Sequence, residues 1–88
     1  HIYGLPVDMD PVLEIADEYD LYVIEDAAEV HGQTYHGSPC GSFGDISTFS
    51  FYPNKHVTTG EGGMVVTDRE DLAKRSQSLR NLCFQPGR

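Results

Sequence analysis

The sequence predicts an α/β domain with a mostly parallel sheet and flanking helices. Three observations predict it. Apolar residues recur at helical spacing over Asp8–Tyr19 and again over residues 68–83. Between them lies a continuous apolar run, Leu21–Ile24. Two further strand-like runs, Asp45–Tyr52 and residues 62–68, precede the second helix, so the elements form one partial layered domain that wants more strands beside it.

The chain opens on "HIYG", a short extended piece. In "DMDPVLEIADEY", Val12, Ile15, Ala16 and Tyr19 fall at i, i+3, i+4 and i+7, which makes one helical face apolar. Asp10 suits the N-cap and Pro11 the first helical position. "LYVIED" follows at once. Its apolar run has no polar alternation, the pattern of a central parallel strand buried on both faces, and Glu25 and Asp26 end it. Residues 27–44 read as loop, with glycines at 32, 37, 41 and 44. "DISTFSFY" reads as a second strand and "GGMVVTD" as a third. The last element, "DREDLAKRSQSLRNLC", reads as a helix capped by Asp68, with Leu72, Ser76, Leu79 and Cys83 along one stripe.

Bulk properties narrow the function classes. The 88 residues amount to one small domain, residues 1–88, with no internal boundary. Beginning at His1 rather than Met, the chain reads as an internal piece of a longer protein. There are 6 basic and 14 acidic residues, a net charge of −8, which argues against nucleic acid and anionic membranes as partners. No apolar run is long enough to span a bilayer. Cys40 and Cys83 form no motif, and a reduced, cytoplasmic setting is expected.

Three side chains stand out. Asp26 ends a buried-type strand, where open α/β sheets bind ligands, and a carboxylate there needs a positive partner or serves as a local cap. Lys55 lies between a strand and the glycine loop "TTGEGG"; a partly buried lysine is suited to Schiff-base chemistry, whereas most loop lysines are merely solvated. Ser50, five residues earlier, offers a hydroxyl to a phosphate or to a nearby carbonyl. The glycine loop is either a backbone cradle for an anion or a tight connection; it is not a P-loop. His31, His36 and Cys40 lack the spacing of a metal site, and no metal is expected.

Taken in order, "VIEDAAEVHG", "GSFGDISTFSF", "NKHVTTGEGGMVVTD" and "LAKRSQSLRN" resemble the DegT/DnrJ/EryC1/StrS family of nucleotide-sugar aminotransferases over essentially the whole chain. That resemblance implies part of the large, cofactor-binding domain of a pyridoxal 5'-phosphate enzyme of fold type I, the aspartate aminotransferase-like fold. It implies that Lys55 carries the cofactor and acts as the base, that Asp26 pairs with the pyridinium nitrogen, and that Ser50 bonds the phosphate. Glu29 is placed near the cofactor's 3-hydroxyl, where many members have Gln. Asp20 stands where the family usually has Gly after the helix, and is expected to strain that helix end.

The implied reaction is amino transfer from L-glutamate to C4 of a nucleotide-linked 4-keto-6-deoxy sugar, GDP-4-keto-6-deoxy-mannose being the expected one, in a homodimeric enzyme of bacterial surface polysaccharide synthesis. Dehydrases of the family carry His at the lysine position, so Lys55 favours the aminotransferase branch. The competing reading is a non-catalytic regulatory or binding module on the same fold. Family enzymes are several times longer, so the isolated 88 residues are expected to be inactive and poorly stable.

Overall fold

A computed structural model describes residues 1–83. Its centre is a three-stranded sheet in the order β1 (Ile24–Asp26), β4 (Ile46–Ser50), β5 (Gly63–Val66). β1 runs parallel to β4, with Ile24, Glu25 and Asp26 opposite Ile46, Ser47 and Thr48. β5 returns antiparallel to β4, so the sheet is mixed. Helix α1 (Met9–Glu18) precedes β1, and helix α2 (Glu70–Arg80) follows β5.

Several expectations are corrected. "HIYG" is a turn rather than an extended piece: Ile2 and Leu5 exchange backbone hydrogen bonds of 3.2 and 2.8 Å, and Tyr3 and Gly4 have φ of 52° and 79°. Positive φ at both central residues is the hallmark of a primed hairpin turn. The strand expected from Leu21 starts only at Ile24 and is an edge strand among the described residues. Leu21, Tyr22 and Ile24 are 56%, 72% and 72% exposed. An apolar run reports the burial a segment requires, and within these residues only one side of it is covered.

Residues 27–44 also contain an unexpected hairpin, β2 (Thr34–Tyr35) with β3 (Ser38–Pro39), turned by His36 and Gly37 at φ 48° and 83°. Two-residue strands leave too little alternation to read.

Both helix caps differ as well. Helix α1 is capped at Asp8, not Asp10, which puts Pro11 third in the helix. The Asp8 carboxylate is taken by the Tyr35 hydroxyl at 2.5 Å, and that hydroxyl in turn accepts the Asp10 N–H at 3.4 Å. A side chain from the hairpin thereby does the work of a local cap, which no sequence window contains. Helix α2 is capped at Arg69 rather than Asp68. The Arg69 N–H donates to Thr67 Oγ1, whose hydroxyl donates to the Asp45 carbonyl at 2.6 Å and so ties the helix start to β4. The Arg69 guanidinium bonds Asp71 and lies 5.1 Å over the Tyr22 ring.

The C-terminus of α1 shows the strain expected at Asp20. Its φ is 53°. The Leu21 N–H reaches the Ala16 carbonyl at 2.8 Å and the Asp20 N–H the Asp17 carbonyl at 3.4 Å, the paired bonds of a Schellman motif, whose left-handed position favours glycine.

The core is small. Ala27, Val30 and Cys40 are buried, with Tyr35 and Phe49 packed on them. The described fold is a slab, 45 × 36 × 16 Å, with a radius of gyration of 14.6 Å against about 12 Å for a compact domain of this length.

Candidate active site

Parallel pairing brings the C-terminal ends of β1 and β4 together. Asp26 is opposite Thr48, and strand alternation puts Thr48 and Ser50 on one face, so Asp26 and Ser50 share a face at one edge of the sheet. The Asp26 carboxylate accepts the Ala28 N–H at 3.1 Å, a local turn that fixes it where the chain leaves the strand. Ser50 Oγ accepts the Tyr52 N–H at 3.3 Å.

After β4 the chain forms a closed loop. The Phe51 N–H donates to the Gly62 carbonyl at 2.9 Å. The Phe51 carbonyl accepts both the Thr59 N–H, at 3.0 Å, and the Thr58 hydroxyl, at 2.8 Å. Gly60, at φ 79°, donates its N–H to Thr58 Oγ1. The threonines and glycines of "TTGEGG" thus close the loop on β4, which is the tight-connection reading of that stretch. Within the loop the Lys55 N–H caps a turn on the Tyr52 carbonyl at 3.0 Å.

The Lys55 side chain is only 16% exposed, and its Nζ lies 4.0 Å from Glu29 Oε1. Glu29 is itself held: its Oε2 accepts the Tyr3 N–H at 2.6 Å, and its carbonyl accepts the Gly4 N–H at 3.0 Å. The N-terminal turn therefore orients the carboxylate that faces the lysine. Lys55 and Glu29 meet directly; Asp26 and Ser50 lie at the same sheet edge without a bond to Lys55 among the described residues.

Three residues hold positions that the sequence reading did not assign to them. Glu25 is 4% exposed. Its Oε1 accepts the Gly41 N–H and Oε2 accepts the N–H groups of Phe43 and Gly44, at 3.0 and 3.1 Å. His1 completes the set: its Nδ1 accepts the Val7 N–H, so Nε2 carries the proton and donates to Glu25 Oε1 at 2.7 Å. A carboxylate interrupting an apolar strand, ahead of glycines 41 and 44, was the available signal. The third is His31, whose ring packs among Phe49, Phe51 and His56.

The His31, His36 and Cys40 trio is dispersed. His36 is exposed and stacked on Tyr35, and Cys40 is buried in the core. Burial, helped by the negative charge of Glu25, pushes the Cys40 thiol pKa up. No helix among the described residues is long and apolar enough to cross a membrane.

A family model described as the DegT/DnrJ/EryC1/StrS aminotransferase family matches residues 1–88. The chain is 53% identical over its full length to the GDP-perosamine synthase of Caulobacter vibrioides, of which it covers 24%. It is 46% identical over 82 residues to the dTDP-3-amino-3,4,6-trideoxy-alpha-D-glucose transaminase of Streptomyces venezuelae, covering 92% of this chain and 22% of that one. A solved structure of DesV from S. venezuelae, in complex with a ketimine intermediate, superposes with a TM-score of 0.90 at 44% identity, over 99% of this chain and 24% of that one. The chain spans about a quarter of the length of these relatives.

Proposed function

Because the chain belongs to the DegT/DnrJ/EryC1/StrS aminotransferase family, whose aspartate aminotransferase-like fold it shares, we propose that it is part of the cofactor-binding large domain of a sugar aminotransferase. The proposed reaction moves the amino group of L-glutamate to C4 of GDP-4-keto-6-deoxy-mannose, giving GDP-perosamine for bacterial surface polysaccharide. The proposed protein is a cytoplasmic homodimer using pyridoxal 5'-phosphate. The GDP-perosamine synthase relative supports the sugar and the nucleotide.

The observation that carries this reading is the largely covered Lys55 side chain facing Glu29, close along the chain to Asp26 and Ser50 at the C-terminal ends of β1 and β4. These donors fit pyridoxal phosphate chemically: an amine for its aldehyde, a carboxylate for its pyridinium nitrogen, a hydroxyl for its phosphate. When bound, the cofactor supplies an electron sink for the carbon bearing the transferred amine. Lys55 holds the cofactor and moves the proton at that carbon. Asp26, fixed by its own turn, favours a protonated ring nitrogen through a charge-assisted bond. Ser50 would hold the phosphate, and Glu29 would orient the lysine and bond the cofactor's 3-hydroxyl.

The test is to incubate the parent-length protein with pyridoxal phosphate, reduce with borohydride, digest, and locate the phosphopyridoxyl mass. A label on the Lys55 peptide, absent from Lys55→Ala, is expected. No label, or one spread over Lys74 and other lysines, overturns the reading in favour of a non-catalytic module.

A further inference from the structure

We propose that His31 is a positioning residue: its ring is the wedge that locks the turn bearing Asp26 and Glu29 to the segment bearing Lys55. The inference rests on the site reading above. The turn is anchored first, since the Ala27 N–H donates to the Thr48 carbonyl at 2.9 Å and Val30 is 1% exposed in the core. His31 is the next residue. Its ring centroid lies 5.6 Å from Phe49 and 5.8 Å from Phe51 on the strand leading to the lysine loop. It lies 5.9 Å from the ring of His56, the residue directly after Lys55. One side chain thus touches both site-bearing segments and the strand between them.

The character of the contact is decided by the ring nitrogens. Both are buried and have no hydrogen-bond partner in the structure. An imidazole always carries at least one N–H, and leaving it unpaired in a buried place is unfavourable. Such a ring contributes through shape and aromatic contact, not through polarity. Removing it opens a space beneath His56 into which the lysine loop can relax, moving the Lys55 amine away from Glu29. An aromatic ring without nitrogens keeps the wedge.

Three variants of the parent-length protein test this: His31→Ala, His31→Phe and His31→Gln, each checked by circular dichroism for a wild-type fold. The first readout is amide hydrogen exchange in cofactor-free protein. Exchange over residues 52–60 is expected to speed up in the Ala and Gln variants, with α1 unchanged, and to stay near wild type in the Phe variant. The second is the pyridoxal phosphate dissociation constant from fluorescence titration. It is expected to rise about tenfold in Ala and Gln, equivalent to about 1.4 kcal/mol, and less than about threefold in Phe. Wild-type exchange and affinity in the Ala variant would overturn the proposal. So would rescue by Gln with failure of Phe, which would assign the role to the nitrogens. If wild type itself takes no label on Lys55, the functional reading falls, while the exchange data still judge the wedge.

Discussion

Replacing Glu25 by Gln removes one oxygen from a carboxylate whose four acceptor sites are all in use. Oε1 serves the Gly41 N–H and His1 Nε2–H, and Oε2 serves the N–H groups of Phe43 and Gly44. A glutamine of the same shape keeps one oxygen. Whichever way its amide turns, its NH2 faces two donors. His1 cannot accommodate it by switching tautomer, because Nδ1 already accepts the Val7 N–H. Two buried donors therefore lose their acceptor, at about 1–3 kcal/mol each, so a loss of about 3 kcal/mol is expected. Glu25→Ala, which leaves all four donors unpaired, should lose about 4–5 kcal/mol. The assay is the urea midpoint of the parent-length protein, with amide exchange at Gly41, Phe43 and Gly44 as the local readout. A change below about 0.5 kcal/mol for the Gln variant, or unchanged exchange at those amides, would refute the reasoning.

Asp20→Gly should stabilise the parent protein by about 0.5–1 kcal/mol, because the left-handed φ of 53° is strained for Asp while glycine's extra unfolded-state freedom offsets part of the gain; a lower urea midpoint would contradict it. Cys40, its thiol pKa raised by burial, should resist alkylation near neutral pH in native protein and react promptly in urea, by timed mass spectrometry. With the folded-state pKa above the unfolded one, Cys40's contribution is complete below the ordinary thiol pKa and is lost as pH rises through the raised value. The wild-type advantage over Cys40→Ala should accordingly shrink on the alkaline side, as followed by urea midpoints. The 88 residues expressed alone should aggregate or melt without cooperativity, since Ile2, Leu5, Tyr22, Ile24 and Leu82 are all more than half exposed; a monomer with a sharp calorimetric transition would disprove this.

Candidates for the site were easier to pick from the sequence than the fold that holds them. Asp26, Ser50 and Lys55 stand out as candidates because each sits at a chain event marked by its neighbours: the end of an apolar run, the end of a strand, the approach to a glycine loop. Glu29 came only through family resemblance, and the contact that makes it interesting, to a lysine 26 residues later, has no local signature. Asp10 reads as the cap because no sequence window contains Tyr35, and Glu25 reads as half of an acidic pair because its four donors come from distant residues.

By itself the sequence determined what depends on near neighbours: two amphipathic helices, the strands Ile46–Ser50 and Gly63–Val66, the strained helix end at Asp20, and an order of motifs that identifies a family. Those rest on periodicity, φ preference and side-chain chemistry within a few residues. Only the tertiary structure decided that β4 is central with one parallel and one antiparallel neighbour, that Glu25 clamps the loop at residues 41–44, and that the N-terminal turn aims Glu29 at Lys55. Each of these joins groups far apart along the chain. Their free energy depends on distance and burial in space, quantities that arise only once the sheet has brought the segments together.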